Sequence, residues 1–301
     1  MRVSSAAVAL FVACLAPSAW AQEQPETILV FPGANSHETY FTMHNIRDAH
    51  AIAKGKGAKI GILDHSFGVE AHQGLYAGGQ AFQSDEWAGN FATNSHHGYW
   101  MALVAREIAP EAELYALGTT SSDEKVKVAA MVKAIDWAIA HHLDAITYSD
   151  RKFSPDLRAD LDAAVSRAVA AGIVVCFIHY PHADNLLPTG LFPRHPVDDE
   201  REPDVNILQY DYSVVFANEY QLAVQGKSQR RYKPFLSMSS TSPVTAGIVA
   251  LMRSVNPRLT PAQCRQILMS TARPVTFEGQ QGVRTVDAAA AVKKARDLPT
   301  R

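Results

Sequence analysis

A chain of 301 residues that is 47% hydrophobic is long enough to bury the core of one large α/β domain or two small ones. A net charge of −2 without a basic block excludes nucleic acid and an anionic membrane surface as partners marked by charge. There is no internal repeat and no low-complexity tract.

The N-terminus reads as an export signal, residues 1–21. Arg2 supplies the positive start, Ala6 to Leu15 the short apolar stretch and Ala19-Trp20-Ala21 the small-x-small cleavage pattern. The apolar run is shorter than the ~20 residues of a membrane span. The processed chain is therefore expected to be periplasmic or secreted, with no membrane span. Residues 22–50 read as a short polar extension with one strand-like run, Thr27 to Phe31. The main domain is expected over 51–298.

From there strand and helix alternate. Lys59 to Asp64 is short, apolar and β-branched, as a buried strand is. Gly98 to Ile108 reads as a helix stopped before Pro110, and Glu113 to Leu117 as a strand. Glu124 to His142 reads as an amphipathic helix, with Val128, Met131, Val132, Ile135, Trp137 and Ile139 at helical spacing. Ala145 to Tyr148 is a short strand. Pro155 to Ala171 is a helix capped by Gly172, and Ile173 to Ile178 is the most apolar strand. Pro243 to Val255 and Pro261 to Ser270 are the last helices. This alternation predicts an α/β fold, a mainly parallel sheet with helices on both faces. Cys176 in a strand and Cys264 on a helix suit buried free thiols at least as well as a disulfide.

Active residues of such sheets gather at the carboxyl ends of strands. Asp64 closes its strand, His97 opens a helix and Ser239 lies at the mouth of another. Asp, then His, then Ser is one chain order of serine-hydrolase triads.

The surrounding contexts resemble the subtilisin-like serine proteases, the subtilases, from about residue 45 to about 297. Ile60-Gly61-Ile62-Leu63-Asp64-His65-Ser66-Phe67-Gly68 resembles the family strand ending in Asp-Ser/Thr-Gly. His97-Gly98-Tyr99-Trp100-Met101-Ala102 resembles its His-Gly-Thr-His-Val-Ala helix start. Ala109-Pro110-Glu111-Ala112-Glu113-Leu114 resembles the link into the next strand. Ser239 with Pro243 and Ala246-Gly247 matches four positions of Gly-Thr-Ser-Met-Ala-x-Pro-x-x-Ala-Gly. Asn256-Pro257 with Leu259-Thr260-Pro261, and Val286-Asp287-Ala288, resemble the final helices. The resemblance implies the three-layer subtilisin-like fold and a serine endopeptidase. Ser239 would be its nucleophile, His97 its base and Asp64 the group that orients the base.

Three segments depart from the family. Counting from Gly172 puts Pro181 where the family has the Asn that donates to the oxyanion, and losing such a donor costs about 10² to 10³ in rate. Asn185, His179 and His182 are the candidate replacements. Ser237-Met238 stands in place of Gly-Thr before the nucleophile. Ser149, Asp150 and Arg151 replace Ser-x-Gly in the segment that pairs with substrate backbone. The extension after Ala21 is also short for the prodomain that subtilases carry.

His141-His142 reads as a favourable helix-end charge. Asp198-Asp199-Glu200 with Glu202 reads as a solvated acidic loop lacking the ligand spacing of a calcium loop. No cofactor or metal is expected. The expected partner is a peptide or protein substrate, and the expected state a monomer. Two alternatives stand beside the endopeptidase. One is a catalytically impaired relative that binds a peptide or protein in the same cleft. The other is an esterase or peptide ligase using the same three residues.

Overall fold

The computed structural model describes residues 26–27, 41–69, 74–83, 91, 97–149, 153–178, 180, 212–215, 232–235, 238–277 and 280–299. Outside these residues lie the export signal and most of the departing segments: Asp150, Arg151, His179, Pro181, His182, Asn185, Ser237 and the acidic stretch from Asp198 to Glu202.

In chain order the elements are β1 (Glu26–Thr27), α1 (Ile46–His50), β2 (Lys59–Asp64), β3 (Gly78–Ala81), α2 (His97–Ile108), β4 (Glu113–Gly118), α3 (Glu124–Ala140) and β5 (Ala145–Tyr148). Then come α4 (Arg158–Ala170), β6 (Val174–Phe177), β7 (Tyr212–Val215), β8 (Tyr232–Phe235), α5 (Thr241–Val255), α6 (Pro261–Thr271), β9 (Arg273–Phe277), β10 (Gln280–Thr285) and α7 (Ala288–Asp297). The central sheet runs β3-β4-β2-β5-β6, every neighbouring pair parallel. β1, β9 and β10 form a small separate sheet, and β7 and β8 an antiparallel pair.

Strand side chains alternate between two cores, as the two-residue period demands. Ile60, Ile62, Leu114, Ala116, Val174 and Cys176 face α1, α2, α5, α6 and α7. Leu63, Leu117, Ile146, Tyr148, Val175 and Phe177 face α3 and α4. This is the three-layer α/β arrangement expected from the alternation of elements. The predicted face of α3 is graded: Val128, Met131 and Ile135 are buried, and Val132, Trp137 and Ile139 are partly covered. Asp123 caps that helix by accepting from the Lys125 and Val126 N–H groups. Gly172, at φ 90°, takes the left-handed turn expected of it. Cys176 and Cys264 are both free and buried, without a bridge. Burial pushes both thiols up.

The core begins upstream of residue 51. Met43, Ile46 and Ala49, read in sequence as part of the polar extension, are fully buried. Of the strand-like run, Thr27 is described, and there β1 pairs with β9; Ile28 to Phe31 lie outside the described residues. Among the described residues, no helix is long and apolar enough to cross a membrane.

α2 and α5 cross closely because Gly247 has no side chain. A Cβ there would sit 2.5 Å from Ile108 Cβ and 2.6 Å from its Cγ2. Gly247→Ala gains about 1 kcal/mol of helix propensity, but an overlap this deep in a filled core costs more. A net loss of about 1–2 kcal/mol is expected, read as a lower denaturation midpoint in urea.

Candidate active site

Asp64 ends β2 at the carboxyl edge of the sheet and is buried at 2% exposure. The chain turns sharply after it, with Ser66 at φ 62° and Gly68 at φ 58°. The turn brings the His65 carbonyl to the start of α2, where it accepts the Gly98 N–H at 2.8 Å. A Cβ on residue 98 would fall 2.4 Å from that oxygen and 2.8 Å from the Phe67 ring. Glycine at 98 therefore lets α2 begin against β2, placing His97 beside Asp64.

His97 Nδ1 lies 2.8 and 2.9 Å from the two Asp64 carboxylate oxygens, and its Nε2 lies 3.1 Å from Ser239 Oγ. An ionised carboxylate only accepts, so Nδ1 carries the proton and Nε2 presents a lone pair to the serine. Ser239 sits in the 3₁₀ turn Met238–Ser240 that leads into α5. That turn is fixed from below. The Tyr148 N–H donates to Ser242 Oγ at 3.2 Å, and the Ser242 hydroxyl donates to the Cys176 carbonyl. The structure thus brings together all three residues read from sequence as a catalytic set.

Ser149, read as substrate-binding, is buried just beyond β5 and makes a reciprocal pair with Ser239. Its hydroxyl donates to the Ser239 carbonyl at 2.8 Å, and its own carbonyl lies 3.1 Å from Ser239 Oγ. The Ser239 hydroxyl therefore has one proton and two acceptors, His97 Nε2 and the Ser149 carbonyl, at the same distance. His65 had no assigned role in the sequence. Its backbone N–H and its ring Nδ1 both reach Asp64 Oδ1, at 2.8 and 2.9 Å. The clue in the sequence was its place, directly after a strand-ending aspartate where the family carries a hydroxyl residue.

Burial alone would raise the Asp64 carboxyl, but the His97 charge and hydrogen bonds from both imidazoles outweigh it and hold the group at about 2. Its ordinary value is 3.8. A depressed folded-state value contributes stability that is complete above about pH 4 and lost as pH falls toward 2. Between pH 5 and 2, wild type is expected to lose about 2 kcal/mol more than Asp64→Asn, measured by urea denaturation at each pH.

The family model described as the subtilase family matches residues 203–292. Subtilisin DY of Bacillus licheniformis is 29% identical over 267 residues, covering 79% of this chain and 92% of that protein. The thermostable alkaline protease of Halalkalibacterium halodurans is 28% identical over 243 residues, 72% of this chain and 63% of that protein. A solved cold-adapted subtilisin-like serine proteinase superposes with a TM-score of 0.58 at 16% identity, over 78% of this chain and 90% of the other. That structural likeness is one of fold. Taken with the order of Asp64, His97 and Ser239 on one edge of a parallel sheet, these similarities liken the chain to the subtilase family, at a divergent level of identity.

Proposed function

We propose that this chain is an exported serine endopeptidase that cleaves peptide bonds through an acyl-enzyme on Ser239. The observation that carries the reading is His97, one imidazole spanning a buried carboxylate and a serine hydroxyl. A free hydroxyl is a poor nucleophile and needs an adjacent base. As Ser239 Oγ attacks the substrate carbonyl, its proton passes to His97 Nε2, and Asp64 stabilises the imidazolium. The same proton then goes to the leaving amine, and water enters by the reverse path to release the acid. The backbone N–H of Ser239, in the turn that opens a helix, would be a donor to the negative charge that develops on the carbonyl oxygen.

Export rests on the charged, apolar and small-residue pattern before Gln22 and on the likeness to subtilisins. The processed chain would act as a monomer on an extended peptide or an unfolded protein segment, without a cofactor. The test is hydrolysis of an unstructured polypeptide by processed wild type beside Ser239→Ala. Cutting by the first alone supports the reading, and a folded wild type that does not cut contradicts it.

A second reading is a relative that binds a peptide in the same cleft without cutting it. Pro181, at the position of the family's oxyanion asparagine, favours it, because proline has no donor to offer. Tight peptide binding with no Ser239-dependent hydrolysis would select this reading.

A further inference from the structure

The residue after Asp64 is a histidine, and it approaches the carboxylate as closely as His97 does. His65 Nδ1 and His97 Nδ1 each lie 2.9 Å from Asp64 Oδ1. The two rings are stacked, 14° from parallel with centroids 5.7 Å apart. One ligand atom from each of the three residues falls within 4.8 Å of the others. The carboxylate is buried, whereas the imidazoles are about a quarter exposed and open to solvent.

We propose that Asp64, His65 and His97 form a binding site for one divalent transition-metal ion of the zinc class, and that occupancy switches Ser239 off. The switching rests on the peptidase reading, and the binding does not.

Two imidazole nitrogens and one carboxylate oxygen are a donor set that zinc favours, at bond lengths of about 2.0–2.2 Å. Calcium and magnesium take shells of oxygen ligands and are not matched by this set. Ligand atoms around such an ion stand ~3.3–3.5 Å apart. The present nitrogen–oxygen distances of 2.8 and 2.9 Å therefore open by about half an ångström when the ion replaces the bridging protons. Side-chain rotation suffices for that, because Asp64 and His65 are consecutive and the Gly98–His65 bond keeps His97 beside them. A carboxylate and two neutral imidazoles carry one negative charge, which the ion meets. Water completes the shell on the exposed side of the rings.

The consequence follows from the tautomer. The ion takes the lone pair of His97 Nδ1, and the proton held there departs. A neutral imidazole then carries its one proton on Nε2, so one proton leaves the ring and one joins it. The lone pair facing Ser239 Oγ is gone, and the serine has no base, although the ring stays in place.

Protein stripped with a chelator is titrated with zinc chloride alone in a calorimeter, and its labelling by a fluorophosphonate is timed at each zinc level. One ion per chain is expected, with labelling slowed about tenfold or more at saturation and restored by excess chelator. His65→Ser is expected to bind zinc about tenfold or more weakly. Its labelling, scored against its own metal-free rate, loses zinc sensitivity in parallel. Ser239→Ala keeps all three ligands and binds zinc as wild type does, which also provides a test should His65→Ser not fold. No binding by wild type, equal binding by His65→Ser, or weakened binding by Ser239→Ala overturns the site. Zinc bound with labelling unslowed overturns the switch. A wild type that binds zinc yet never labels without it contradicts the peptidase reading, while the calorimetric result still decides the site.

Discussion

Replacing Ser239 or His97 by alanine is expected to lower kcat by about 10⁵-fold or more, and replacing both to lower it little further. The magnitude is of the order measured for the same pair of side chains in subtilisin. The non-additivity follows from the geometry. His97 Nε2 and Ser239 Oγ, 3.1 Å apart, share a single proton-transfer step. With either absent, the other has nothing to exchange with. Asp64→Asn is expected to cost less, about 10⁴-fold, because the imidazole remains but its tautomer is no longer set by a carboxylate. Single-turnover rates on a peptide substrate, with each variant's folding checked, give the comparison. Independent, additive losses at the two positions would contradict a shared step.

Arg253→Met is expected to destabilise the fold by about 3–5 kcal/mol and leave the geometry of the candidate active site in the folded protein unchanged. Arg253 lies in the last turn of α5 and is 6% exposed. One guanidinium nitrogen donates to the Asp144 carbonyl at 3.0 Å and faces its carboxylate at 3.3 Å. The other donates to the carbonyls of Gly172 and Leu259, at 2.5 and 2.8 Å. These groups lie one or two residues before β5, β6 and α6, so one side chain ties together three chain segments at the amino edge of the sheet, opposite the candidate active site. Asp144 extends the network, its carboxylate accepting the Lys59 N–H at 2.8 Å where β2 begins. Methionine fills similar volume but removes the Arg253 donor from the Gly172 and Leu259 carbonyls and the cation from Asp144, whose carbonyl and carboxylate keep only the Val174 and Lys59 N–H groups. Urea denaturation measures the loss. A midpoint within about 0.5 kcal/mol of wild type would contradict this account of the clamp.

The fold was legible in the sequence wherever local pattern and burial agree. β2, β5 and β6 are short apolar runs, and in a parallel sheet both faces of such strands are covered. β3 was not legible. Gly78-Gly79-Gln80-Ala81 carries no apolar alternation, and a Cβ on Gly79 would fall 2.2 Å from the Ala116 carbonyl. Its glycines serve close approach to β4, which composition alone reads as a turn. The fully buried Met43, Ile46 and Ala49 were hidden for another reason: α1 is one short turn-and-a-half in a polar stretch, too brief for a helical period to emerge. At the site, Asp64, His97 and Ser239 were legible because each sits in a local context with its own backbone demand. The double imidazole on Asp64 and the reciprocal Ser149–Ser239 bonds were not. They depend on ring and hydroxyl orientation across residues 33 to 142 positions apart or, for His65, on a turn whose direction only the fold sets.

The most direct test of the central claim is the mass of the processed protein after exposure to a fluorophosphonate, followed by mapping of the adduct. The account predicts one adduct per chain, on Ser239, that fails to form in His97→Ala. A folded wild type that stays unmodified, or that carries the adduct on another residue, would contradict it.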